Sequence, residues 1–147
     1  MKLKIYLFKK MLYILVVAWM VVIFYFSHQP VNKSNELSGG ISRLIVDKLE
    51  GILKTDLDNE LFDHLIRKSA HFTEYMILSI LMCIVFSKNK VFGSKRVLIC
   101  VIICVLYAIS DEIHQYFIPG RVAGMLDVII DSIGIVSGVF ITRLFVK

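Results

Sequence analysis

The chain has 147 residues, a formal net charge of +5 and a mean hydropathy of +0.74, and 57% of its residues are hydrophobic. A soluble domain of this length carries closer to half, and the excess sits in long runs, so the composition points to a single all-α membrane domain covering 1–147. The basic residues form short clusters beside apolar runs, with no exposed stripe interleaved with aromatics, which argues against nucleic acid as a partner.

Lys2, Lys4, Lys9 and Lys10 open the chain without an acid, and an apolar run follows over 11–26. It ends on Phe24-Tyr25-Phe26-Ser27-His28-Gln29-Pro30. These residues are bulky and aromatic where a signal-peptide cleavage site needs small ones, so an uncleaved first span is expected. Aromatics there suit the membrane interface, and Pro30 stops the helix.

Residues 31–66 are polar and amphipathic, and Gly39-Gly40 is expected to break them. Leu37, Ile41, Leu44, Ile45 and Leu49 recur at helical spacing and predict a short outer helix lying on the membrane surface. A second helical turn is expected from near Asp58, with Leu61, Phe62, Leu65 and Ile66 as its apolar face. The stretch reads as a surface segment, and a lid over a site is compatible with it.

Three further spans are predicted over 70–86, 97–117 and 125–145, each long enough to cross the hydrocarbon. Lys88, Lys90, Lys95 and Arg96 make a basic loop between the second and third, and Pro119-Gly120 makes a tight turn before the fourth. Cys83, Cys100 and Cys104 lie inside apolar runs without metal-ligand spacing and read as packing residues.

The chain start, the basic loop and the tail (Arg143, Lys147) hold ten of the 17 basic residues and none of the 12 acids. The positive-inside rule places these segments, and so both termini, in the cytoplasm. The 31–66 stretch and the Pro119-Gly120 turn then face outward.

An ionised group in hydrocarbon costs roughly 2.5 to 3.5 kcal/mol on insertion scales, so such groups usually have partners or a function. Here they come in sets. Arg67, His71 and Glu74 share one helix face, with Lys68 beside them. Asp111, His114 and Gln115 share another, with Glu112 pointing partly elsewhere. Asp127 and Asp131 run into Gly134 and Gly138, a carboxylate stripe continued by small residues that allow close helix approach. Arg121 sits in the outer turn. The predicted topology puts all of these at one depth, near the outer leaflet.

Two chemistries can be drawn from these sets. Arg67, Lys68 and Arg121 suit an anionic group such as phosphate. His71, Glu74, Asp111 and His114 are the catalytic candidates, as acid–base groups or, with Asp131, as ligands of a divalent metal. No fixed metal motif such as HExxH is present, so no metal site is assigned, and no cofactor is identified. A serine nucleophile lacks its GxSxG context. A network that only ties the helices together is the competing reading. His28 and His64 read as solvated or interfacial. Tyr75 and Tyr116 read as interfacial aromatics able to line the site.

At these residues the chain resembles the VanZ-like family of small bacterial membrane proteins. The resemblance rests on Ser27-His28-Gln29-Pro30, on Arg67-Lys68-Ser69-Ala70-His71-Phe72-Thr73-Glu74-Tyr75, on Ser110 through Arg121, and on Asp127 with Asp131-Ser132-Ile133-Gly134. It spans about 12–145. His28 stands where the family commonly has a small polar residue, and the family often has Asn at the position of Asp131. The resemblance implies a multi-pass protein of the bacterial cytoplasmic membrane and an association with tolerance of the glycopeptide teicoplanin.

The expected function is a polar outer-leaflet site for a cell-envelope or lipid-linked anionic ligand, formed by Arg67, Lys68, His71, Glu74, Asp111, Glu112, His114, Gln115, Arg121 and Asp127. A membrane-embedded hydrolase or transferase, and a structural accessory of an envelope complex, are the alternatives. The lipid bilayer is the expected partner, and the sequence leaves oligomerisation open.

Overall fold

The structure is a computed structural model that describes residues 2–53, 58–121 and 124–145. Five helices follow in order: α1 (Lys2–Ser27), α2 (Val31–Leu53), α3 (Asn59–Lys88), α4 (Gly93–Tyr116) and α5 (Met125–Phe145). No strand occurs among the described residues. Four of the helices, all but α2, are long and apolar enough to cross a membrane. Their outward faces carry large apolar side chains such as Leu98, Leu106, Ile133 and Phe140, as a lipid-facing surface requires.

The fourth predicted span, 125–145, starts where α5 starts and is helical to the last described residue, while the other helices are longer than the predicted spans. Helix α1 extends back through the basic start. Helix α3 fuses the turn expected near Asp58 with the second span, because nothing between Asn59 and Ala70 breaks a helix. Asp58 caps it, accepting from the backbone N–H groups of Glu60 and Leu61 at 2.9 and 3.3 Å. At 30 residues α3 is about 45 Å long, against roughly 30 Å of hydrocarbon, so it is long enough to reach through a headgroup region as well. Arg96 is not in a loop: α4 begins at Gly93 and encloses it, 5% exposed.

Gly39-Gly40 does not break α2, which runs unbroken from Val31 to Leu53. Two helical glycines cost about 1 kcal/mol each, but α2 packs against α3 and buries Ser38 and Val46 there. Gly39 faces Asp63 of α3, where a Cβ would lie 3.6 Å from its carboxylate. Of the predicted apolar face, Leu44 and Ile45 point away from the protein, available to a membrane surface. The side chains of Leu37, Ile41 and Leu49, and all of Lys147, lie outside the described residues.

The closest helix pair is α3 with α5, and the small-residue stripe explains it. A Cβ on Gly134 would collide with the Phe72 carbonyl, and one on Gly138 with Ser79 Oγ and the Met76 carbonyl. Helix α1 is joined to the others partly by side chains reaching backbone carbonyls. Trp19 Nε1 donates to Glu74 O at 2.9 Å, and Tyr107 Oη donates to Met20 O at 2.7 Å. The core between them contains Ile23, Tyr75, Leu78, Cys83, Cys100, Cys104, Ala108 and Ile135. All three thiols are free and buried there, as packing residues would be. Tyr75 is fully buried rather than interfacial, whereas Tyr116 is exposed.

Candidate functional site

The end of α1, the first half of α3, the end of α4 and the start of α5 meet at one end of the bundle. Their polar side chains are linked there. Ser27 Oγ donates to Asp111 Oδ2 at 2.7 Å, and Gln115 Nε2 donates to the same oxygen at 3.1 Å. Gln115 Oε1 in turn accepts from Arg121 Nη1 at 2.7 Å. Lys68 Nζ lies 3.9 Å from Asp127, and His71 Nδ1 lies 3.7 Å from Asp131. The opposite end is joined separately, where Lys9 and Tyr13 of α1 meet Asn89.

Arg121 follows a turn whose chemistry is legible locally. Pro119 presets the second position, Gly120 supplies φ +78°, and Arg121 N–H closes on Ile118 O at 3.1 Å, the type II pattern. The turn aims the guanidinium back at α1. There Nε donates to Gln29 O at 2.9 Å and Nη2 to Phe26 O at 2.9 Å. With the bond to Gln115, three of its five N–H donors meet neutral acceptors. No carboxylate lies within ion-pair distance of it among the described residues. Burial, and then the neighbouring Arg67 cation, lower its pKa from the ordinary arginine value, but a guanidinium remains protonated. Its positive charge is thus held in place by neutral acceptors, with Asp111, Glu112 and Glu74 acting on it from beyond ion-pair distance.

Two cavities open around this point. A larger cleft of about 630 Å³ is lined by the first part of α3 (Glu60, Asp63, His64, Arg67, Lys68, His71), by Gln115, Arg121 and Asp127, and by Val31 of α2. A narrower crevice of about 280 Å³ runs between α1, α2 and α3, past Phe26, Ile66 and Ala70 to Glu74. Arg67, His71 and Arg121 line both. The acids divide otherwise: Glu60, Asp63 and Asp127 line only the cleft, and Glu74 only the crevice. The junction of the two spaces therefore holds two arginines and a histidine, with carboxylates on the walls to either side. His64 Nδ1 lies 2.9 Å from Arg67 Nη2, close enough to help orient it.

The predicted site residues divide into two groups. Arg67, Lys68, His71, Glu74, Gln115, Arg121 and Asp127 line one or both cavities. Asp111, Glu112 and His114 line neither. Asp111 is buried behind the site, with one oxygen taken by Ser27 and Gln115. Glu112 accepts from the Gly124 backbone N–H at 2.6 Å and so holds the entry to α5. His114 faces away from His71 toward α1, with its Nε2 3.1 Å from His28 Nδ1 and its ring against Phe24.

This separation also bears on a metal. Among the described residues no three His, Cys, Asp or Glu side chains are placed to hold one. From the sequence, Ser27 and Gln29 entered only through the family resemblance, and His71 was set beside Asp131 only among candidate metal ligands. The motif after the first span and the carboxylate one turn before Gly134 carried those signals.

Fold and site together define a polytopic helical membrane protein with a recess at one end lined by both acidic and basic side chains. The VanZ/LLP1 family pattern matches residues 12–146, and the chain belongs to that family. No curated protein and no solved structure matches it significantly.

Proposed function

We propose that the protein binds the anionic head group of a lipid or lipid-linked envelope molecule at the outer face of the bacterial cytoplasmic membrane. Arg121 carries this reading. A half-buried guanidinium bonded only to neutral acceptors favours an incoming anion, and two of its donors remain for it. Arg67 and His71 flank the same point, and Lys68 adds charge on the cleft side. The crevice beside them passes apolar Phe26, Ile66 and Ala70, so an acyl or prenyl chain can leave the head group toward the bilayer. Asp111, Glu112, Gln115 and Ser27 act as supports that fix Arg121 and the helix ends.

The outward orientation, with both termini cytoplasmic, is supported by the charge distribution along the chain. Family membership supports a contribution to glycopeptide tolerance through such an envelope ligand. The test is binding by the detergent-purified full chain to vesicles of phosphatidylcholine with and without phosphatidate. Anionic vesicles should bind preferentially. Arg121→Gln should weaken that preference about tenfold or more, since one charge-assisted hydrogen bond contributes roughly 1.5–3 kcal/mol. Equal binding to neutral and anionic vesicles would overturn the proposal. A parallel teicoplanin-susceptibility assay at matched membrane abundance tests the physiological link.

A further inference from the structure

Asp131 is 1% exposed, at the level of the junction between the two cavities, and its Oδ1 has no hydrogen-bond partner among the described residues. His71 Nδ1 is likewise buried and without one. The two face each other at 3.7 Å. The close contact of Gly134 with the Phe72 carbonyl sets this juxtaposition, because Phe72 follows His71 and Asp131 lies one turn before Gly134. Burying a carboxylate costs several kcal/mol unless it is well partnered. Asp111 gives Oδ2 to Ser27 and Gln115 and leaves Oδ1 without a partner among the described residues, while Asp131 Oδ1 faces the His71 imidazole edge. With Nδ1 turned to Asp131, Nε2 is the nitrogen that can meet a ligand in the cavities His71 lines.

We propose that His71 and Asp131 form a dyad that hydrolyses the phosphomonoester head group of a membrane lipid, with His71 the general base and Asp131 its positioning residue. This rests on the anionic-site reading above. Arg67 and Arg121 hold the phosphate oxygens and offset charge that develops on them. A water oxygen forms the new bond to phosphorus as His71 Nε2 takes its proton. The ester P–O bond breaks on the opposite side of phosphorus, the leaving alkoxide takes a proton from solvent there, and the imidazolium returns its proton to solvent. The products are the lipid alcohol and inorganic phosphate. Asp131 faces the Nδ1 edge, favours the neutral ring with its proton on Nδ1 and offsets the charge of the imidazolium. The dyad closes from 3.7 Å as that charge forms, in line with the looser geometry of unliganded sites.

The full chain in mixed micelles is given dioctanoyl phosphatidate, and released inorganic phosphate is measured. The wild type should turn it over, with kcat/KM at least about tenfold above that for glycerol 3-phosphate, which has no chain for the crevice. His71→Asn and Asp131→Asn should each lower kcat by about 100-fold or more, with KM held within about threefold. Wild-type protein that binds phosphatidate but releases no phosphate overturns the dyad and leaves the binding site standing. Protein that neither binds nor hydrolyses it overturns both. Wild-type kcat in Asp131→Asn removes Asp131 from the reaction. Equal efficiency toward glycerol 3-phosphate overturns the lipid specificity.

Discussion

Replacing Gly134 with alanine adds one methyl group at the place where α5 lies on the α3 backbone. The new Cβ would overlap the Phe72 carbonyl oxygen and press on Phe72 C and Cα at 3.1 and 3.3 Å. These are backbone atoms of a helix interior, so no rotamer change relieves the contact. The two helices must separate by roughly 1 Å, and overpacking of this kind costs about 1–3 kcal/mol. The same separation would carry Asp131 from 3.7 Å to beyond ion-pair distance of His71. Two effects are therefore expected together. The apparent Tm of the detergent-purified protein, read by loss of monodisperse protein after heating, should fall on the order of 5 °C. Any activity that depends on the dyad should fall further than the loss of folded protein explains, since about 1 Å of misplacement can cost 100-fold. An unchanged Tm in Gly134→Ala would refute the close α3–α5 contact, and the origin proposed for the His71–Asp131 pairing with it.

Gly40→Ala is the matched control: nothing lies within 4 Å of its Cβ, so Tm should hold or rise, by up to about 1 kcal/mol of helix propensity. Ser27→Ala removes one of the two donors to buried Asp111 Oδ2 and should destabilise by about 1–3 kcal/mol, read as a lower Tm. Asp58→Ala leaves the first N–H groups of α3 uncapped; a loss of about 1 kcal/mol is expected, with faster hydrogen exchange confined to the start of that helix.

The spans were legible because bilayer thickness imposes a long apolar run that few other structures need. The start of α5 follows from Gly120 and Gly124 before it and the apolar run that opens at Met125. Helix α2 was half legible. Its spacing announced a helix, but the glycine pair spoke for a break, and only contact with α3 at Ser38, Gly39 and Val46 outweighs that. Likewise Arg67, His71 and Glu74 share a helix face, which periodicity can show. That His114 turns to His28 rather than to His71 depends on how α4 rotates against α1, and no local spacing encodes it. The buried role of Asp111 was hidden for the same reason, since its partner Ser27 is 84 residues away in the chain.

The recess around Arg121 is expected to open to the outside of the cell, and labelling of intact cells measures that. Lys68→Cys, with Cys83, Cys100 and Cys104 replaced by alanine, places one thiol on the wall of the larger cleft. In intact cells a membrane-impermeant maleimide should modify it without permeabilisation, and dioctanoyl phosphatidate should slow the reaction. Labelling that requires permeabilised cells, or a rate indifferent to the anionic lipid, would contradict the account.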